Sequence, residues 1–155
     1  MKIRIKRFDK SVPLPEFDGR DPQTGALYNR NQIAGFDLSC REATTIPPHQ
    51  LALIAVNNVI ETPPDCFLML IARSSTPWKK GLLLANGVGI VDPFYSGDHD
   101  EIKIQFLNFT DAPVEIMKGE ALVQGVIVRR KPVEWVEVES MGGAGHGGYK
   151  THSRL

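Results

Sequence analysis

One carboxylate, Asp92, sits in the middle of an apolar, glycine-studded segment, Asn86 to Asp98, which reads NGVGIVDPFYSGD. A carboxylate among apolar residues costs free energy unless it is paired or solvated in a cleft. In a cleft it can orient a water and accept its proton. Asn86-Gly87 is a type I′ turn signal, and glycines let backbone approach a ligand closely. The competing reading is a hairpin in which Asp92 merely caps the turn ahead of Pro93. Upstream, ARSSTPWKK places Arg73, Ser74 and Ser75 at the end of an apolar run. A guanidinium forks onto phosphate oxygens and hydroxyls add hydrogen bonds; a strand end with a helix-capping serine would look the same. Downstream, Gln124 falls inside the apolar run of KGEALVQG. A buried amide needs partners, which backbone alone can supply.

Two further clusters invite chemistry. Asp98-His99-Asp100 offers three metal-type ligands, but adjacent side chains rarely converge on one ion, so a solvated turn is expected. The glycine-rich stretch from Gly142, GGAGHGGYKTHSRL, superficially resembles a phosphate loop. Tyr149 interrupts the Gly-Lys-Thr order, which excludes that motif. The stretch reads either as a disordered tail or as a lid that closes over a ligand, with Tyr149 as a stacking face.

The elements that must position these residues are short strands. Met1–Phe8, Leu51–Ile60, Cys66–Ala72, Ile102–Asn108, Val114–Met117, Ala121–Arg129 and Val133–Val138 are apolar or alternating. Eleven prolines and fourteen glycines punctuate them, a pattern of strands and turns. One short helix fits Thr76–Leu83, weakened by Pro77. Pro13–Gln32 is polar and turn-rich and reads as a surface loop. Many closely spaced strands predict an all-β sandwich, jelly roll or barrel, with one β-domain over 1–140 and a glycine-rich tail over 141–155.

Composition narrows the function classes. The chain has 155 residues, enough for a single domain with its own core. Eighteen basic and eighteen acidic residues cancel, so no global field draws it to nucleic acid or to a membrane. No apolar run reaches the length of a bilayer span, and MKIRIKRFDKS lacks the apolar core of a signal peptide. Cys40 and Cys66 form no C-x-x-C pair, and two isolated thiols suit a reducing compartment. A cytoplasmic protein without a disulfide is expected.

Taken in order, the segments resemble the trimeric dUTPase family. Ala34-Gly35-Phe36-Asp37-Leu38 is similar to its first motif, and Arg73-Ser74-Ser75 to its second. Gly89 to Gly97, GIVDPFYSG, is similar to the third, Gly119 to Gln124, GEALVQ, to the fourth, and Gly147-Gly148-Tyr149 to the start of the fifth. The resemblance spans nearly the whole chain. It implies a distorted jelly roll, a homotrimer with active sites shared between subunits, and Mg²⁺-assisted hydrolysis of dUTP to dUMP and pyrophosphate. By the same resemblance, Asp92 activates the attacking water. Asn86, Gly87 and Val91 border the uracil, and Tyr95 packs on the deoxyribose and leaves no room for a 2′-hydroxyl. Arg73, Ser74, Ser75 and Gln124 hold the triphosphate. Asp37 approaches the metal through water, and Tyr149 stacks on the base when the tail closes.

The chain departs from the family pattern in places. The fifth motif usually has an arginine shortly before its glycines; here the stretch is Ala144-Gly145-His146, and Lys150, Thr151 and His152 follow Tyr149. Lys150, His146 or His152 is the candidate replacement for that charge. Phe94 stands where an acidic residue is common, and Asp98-His99-Asp100 is inserted after Gly97. Three alternatives stay open: a dCTP deaminase, alone or combined with the pyrophosphatase; a non-catalytic regulator; and a structural jelly roll such as a capsid protein, which predicts no such set of site residues. A related dCTP deaminase places a glutamate three residues before the asparagine ending the strand; here that position is Gln105, which cannot shuttle a proton. A non-catalytic, nucleotide-sensing regulator would share the fold without the reaction.

Overall fold

The computed structural model describes residues 2–17, 19–20 and 23–145. In chain order the strands are β1 (Arg4–Arg7), β2 (Phe36–Ser39), β3 (Thr44–Ile46), β4 (Leu51–Ala55), β5 (Asn58–Glu61) and β6 (Cys66–Ala72). They continue with β7 (Leu82–Leu84), β8 (Gly89–Val91), β9 (Lys103–Asn108), β10 (Val114–Ile116) and β11 (Ala121–Arg129). One helix, α1 (Ser75–Lys80), interrupts them. All pairings are antiparallel. The sheets run β2-β11-β6-β8, β4-β9-β7, β1-β5 and β10-β3, and the fold is an all-β distorted jelly roll. No helix among the described residues is long and apolar enough to cross a membrane.

Strand β6 organises the core. Alternation buries Cys66, Leu68 and Leu70, and the two leucines join Leu38, Ile46, Leu82, Phe106 and Ile116 in the core. Each such side chain stabilises the fold by about 1.5–3 kcal/mol relative to exposure. On β9 the same period buries Ile104, Phe106 and Asn108 and turns Lys103 and Gln105 outward. Asn108 is tolerated inside because its amide is saturated. It donates to the carbonyls of Ile46, Pro47 and Ala112 and accepts from the backbone N–H and hydroxyl of Thr110.

The expected strands fall close to the observed ones, with two corrections. Leu51–Ile60 is not one strand. The buried Asn57 adopts a left-handed backbone (φ 64°) and breaks it, so that β4 pairs with β9 and β5 pairs with β1. Val133–Val138 forms no strand and is exposed throughout, with Trp135 at 91%. Its apolar residues have the right composition, but they pair with no strand among the described residues. Four short strands carried too little pattern to be read: β2, β3, β7 and β8. The helix is offset from Thr76–Leu83 and ends at Gly81, whose φ of 67° suits only glycine well.

The described residues of the 13–32 segment are largely irregular, as expected, but they are anchored. Glu16 bridges to Asp37 and Arg20 to Leu27, ahead of a 3-10 turn at Arg30–Gln32. Both cysteines are free and buried. Burial pushes the Cys40 thiol up to about 12 and raises Cys66 as well. A neutral, buried thiol is unreactive. At pH 8 an aromatic disulfide reagent should therefore label neither cysteine in the folded protein and both in denaturant; rapid labelling of the native chain would contradict the packing.

Candidate active site

The phosphate-type residues meet at one end of the central sheet. In register, Asp37 of β2 lies opposite Gln124 of β11, and Gln124 lies opposite Ile71 of β6, two residues before Arg73. The Arg73 guanidinium reaches Asp37 Oδ2 at 3.0 Å through Nη2 and donates to the Ala121 carbonyl at 3.1 Å through Nη1. Asp37 is 7% exposed, and a buried carboxylate of this kind requires such a partner. The backbone N–H of Asp37 donates to the Glu16 carbonyl at 2.7 Å, which lays the 13–17 segment along the free edge of β2. A cavity of about 200 Å³ results, lined by Pro13, Leu14, Glu16, Asp37, Ser39 and Arg73.

The serines sit at the mouth of this end. Ser74 precedes α1 in helical geometry and its hydroxyl makes no capping hydrogen bond. Ser74 therefore stands at the strand end in the cap position without the capping bond, and it is exposed. Ser75 opens the helix and is half-buried, as is Gln124. The segment is pinned from below: Arg73 N–H and the Thr76 hydroxyl both donate to the Leu122 carbonyl, at 3.0 and 2.8 Å. Lys80 at the far end of α1 bonds Glu120 at 2.7 Å, tying the helix to the turn before β11. Neither Glu16 nor the Lys80–Glu120 pair was legible in the sequence, because both act through contacts distant along the chain.

Asp92 belongs to a second cluster. The Asn86-Gly87 turn does not close a hairpin: β7 lies in the β4-β9-β7 sheet and β8 in the central one, so 85–88 crosses between sheets. Type I′ geometry needs left-handed backbone at both central residues, and Asn86 is not left-handed. Instead the Leu84 carbonyl accepts Gly87 N–H at 2.9 Å, and Gly87, at φ 70°, carries a second tight turn from Asn86 to Val88. Asn86 is left exposed. Further on, it is the backbone carbonyl of Asp92 that closes the next turn, accepting Tyr95 N–H at 3.0 Å. The carboxylate is exposed and caps nothing. A cavity of about 360 Å³ opens beside it, lined by Leu53, Ile90, Val91, Asp92, Phe94 and Tyr95. Asp98, His99 and Asp100 form the expected turn: Asp98 pairs with Lys6 at 2.9 Å and Asp100 accepts Gly97 N–H at 2.8 Å.

The two clusters are far apart within one chain. Val91 lies opposite Leu68 on β6, whereas Arg73 comes five residues later, just past the end of that strand. At about 3.4 Å per residue this separates them by about 17 Å. The two cavities share no lining residue.

The family model described as dUTPase matches residues 24–149. The chain belongs to the dUTPase family. It is 32% identical over 141 residues to the deoxyuridine 5'-triphosphate nucleotidohydrolase of Wolinella succinogenes, covering 91% of this chain and 85% of that protein. Its fold is similar to the crystal structure of dUTPase from Streptococcus mutans, with TM-score 0.68 and 28% identity over 87% of this chain and 100% of that one. The Staphylococcus bacteriophage 80alpha dUTPase, as its G164S mutant with dUpNHpp, gives TM-score 0.76 at 21% identity, over 97% of this chain and 95% of that one. At that identity the likeness concerns the fold alone. Set against the dUTPase motifs, Asp37, Arg73, Ser74, Ser75 and Gln124 come together, and Asn86, Gly87, Val91, Asp92 and Tyr95 lie around the other cavity and the crossover beside it. Tyr149, His146, Lys150 and His152 lie outside the described residues.

Proposed function

We propose that this chain hydrolyses dUTP to dUMP and pyrophosphate at a site assembled from more than one copy of itself. The observation that carries the reading is the placement of the phosphate-type residues and Asp92 at opposite ends of β6. A single chain cannot bring both to one α-phosphorus, which must lie about 3 Å from an attacking water. A second copy, seated with its 86–95 segment over the Arg73–Asp37 end, can. Exposed apolar residues support such seating. Leu51, Leu53 and Leu83 stand on the outer face of the β4-β9-β7 sheet, and Val133, Trp135 and Val136 follow β11. Apolar surface of this extent marks interfaces, and a closed homotrimer is the assembly the family resemblance implies.

In this reading, Arg73 and the Ser74 and Ser75 hydroxyls hold the triphosphate, with Gln124 beneath them. Asp37 and the Ala121 carbonyl each engage one terminal nitrogen of Arg73, and the remaining guanidinium donors serve the phosphate. The donor set fits Mg²⁺, which binds chiefly phosphate oxygens and waters and needs only one or two carboxylates; Asp37 would hold it through water. When bound, the ion neutralises charge developing along the triphosphate. Asp92 orients the water and accepts its proton. Asn86, Gly87 and Val91 border the base, Tyr95 faces the deoxyribose, and Tyr149 stacks on the uracil when the tail closes.

Deamination lacks its acid–base group. Gln105 faces outward on β9 opposite Leu53, and the nearby carboxylate, Glu101, is buried against Arg41. The deciding experiment is turnover of dUTP, dCTP and dTTP with Mg²⁺. Release of dUMP and pyrophosphate from dUTP, at least a hundredfold faster than from the other two, is the expected result. Ammonia from dCTP, or binding of dUTP without turnover, would sink the proposal.

A further inference from the structure

Glu101 is a buried carboxylate that the hydrolysis leaves unused. Its side chain is 7% exposed, and Oε1 accepts the Asn57 backbone N–H at 3.1 Å and lies 3.3 Å from Arg41 Nε. A carboxylate buried this deeply persists only when its oxygens are engaged. Its partners are themselves fixed. Asn57 is buried in left-handed geometry and exchanges two hydrogen bonds with the Asp9 backbone, at 2.7 and 2.9 Å. The Arg41 guanidinium lies over the Phe8 ring at 5.6 Å, and its backbone N–H donates to the Ala55 carbonyl at 2.9 Å. Glu101 is therefore firmly held, one residue before Ile102 of the Asp92 cavity.

Its backbone carbonyl accepts, at 3.3 Å, the hydroxyl of Tyr95, which lines that cavity. The chain returns from Tyr95 to Glu101 through the inserted Asp98-His99-Asp100 turn. That turn is closed by Asp100 N–H to the Gly97 carbonyl at 3.1 Å and by Glu101 N–H to the His99 carbonyl at 2.8 Å. The Lys6–Asp98 pair ties it to β1. Tyr95 itself is 39% exposed, so packing alone does not fix its ring.

We infer that Glu101, through the inserted turn, is the mount that fixes the Tyr95 ring and is thereby a positioning residue for rejection of ribonucleotides. The inference rests on the reading of Tyr95 as the ring facing the deoxyribose. Excluding a single hydroxyl by contact requires a wall that does not yield, because a ring free to pivot by an ångström admits the extra oxygen. The tether from the Tyr95 hydroxyl to an immobile carbonyl supplies that stiffness.

The test compares kcat/KM for dUTP and UTP in wild type, Tyr95→Phe, Glu101→Leu and Glu101→Gln. Tyr95→Phe and Glu101→Leu should each lower the dUTP-to-UTP ratio about fivefold or more, mainly by raising kcat/KM for UTP, the loss expected for one ordering hydrogen bond. Glu101→Gln keeps an oxygen for the Asn57 N–H and should keep the ratio within about twofold of wild type. The Tyr95→Phe and Glu101→Leu effects should not add when combined, since both cut one tether. Tyr95→Phe removes one hydroxyl from an exposed ring and tests the tether even if Glu101→Leu does not fold; a folded Glu101→Leu as selective as wild type, beside a less selective Tyr95→Phe, overturns the role of Glu101. A selective wild type with an equally selective Tyr95→Phe overturns the inference alone. A wild type that hydrolyses UTP as well as dUTP overturns the reading of Tyr95 and the inference with it.

Discussion

Asp92→Asn should lower kcat for dUTP by about three orders of magnitude while KM changes by no more than about threefold. The expected size follows from the role. An amide can still hold a water by hydrogen bonding, but it cannot accept the proton that the water loses as it attacks. General-base catalysis contributes roughly 10²–10⁴-fold. The structure makes the substitution a clean one. The Asp92 side chain is exposed, and the turn it sits in is closed by its backbone carbonyl, which asparagine retains. Stability should therefore stay within about 0.5 kcal/mol of wild type, as for other exposed sites. Steady-state kinetics of dUTP cleavage, with thermal melting as the control, checks both numbers. A variant with kcat within tenfold of wild type and an unchanged melting point would remove Asp92 from the chemistry.

The parts of this molecule that could be read from sequence are those where one residue's environment is set by its neighbours in the chain. Strand β11 matches its apolar run from Ala121 to Arg129 because nearly every residue there is buried or half-buried between β2 and β6. Strand β6 matches for the same reason. The break at Asn57 was hidden, because left-handed backbone at an asparagine leaves no mark on an otherwise apolar run. The Asn86-Gly87 turn misled in a related way. The dipeptide is a strong hairpin signal, yet β7 and β8 are claimed by different sheets, and that competition is set by pairing with β9 and β6. Val133–Val138 has strand composition but pairs with no strand among the described residues, so its local pattern and its single-chain structure disagree.

The site divides along the same line. Arg73, Ser74 and Asp92 could be singled out because arginine, hydroxyl and carboxylate stood among apolar residues. The Arg73–Asp37 pair could not, since the two residues are joined only through the β2-β11-β6 register. Glu16 and Glu101 were silent for the same reason: the first acts through a backbone bridge to β2, the second through Asn57 and Arg41. The family motifs mark which residues gather around a ligand. They do not mark which chain each comes from, and here the length of β6 supplies that information.

That length leads to the sharpest expectation for the assembly. Two inactive variants, Asp92→Asn and Arg73→Gln, should regain activity when mixed. Arg73→Gln retains a donor for the buried Asp37 carboxylate but loses the charge and the fork, and alone it should lower kcat/KM by about a hundredfold or more. Co-refolded in equal amounts, the two chains assort at random. A site that takes Arg73 from one copy and Asp92 from another is then fully wild type in about a quarter of cases, the product of two independent halves. Recovered activity should approach about a quarter of the wild-type value at equal total protein, and it should require denaturation and refolding or slow subunit exchange. If instead each chain held a complete site, every site in the mixture would carry one lesion, and no recovery could occur at any ratio. The about 17 Å between Arg73, just past the end of β6, and the partner position of Val91 on that strand decides between these outcomes. No side-chain rotation spans it, whereas a neighbouring copy needs only to lay its 86–95 segment across the Arg73 end of the sheet.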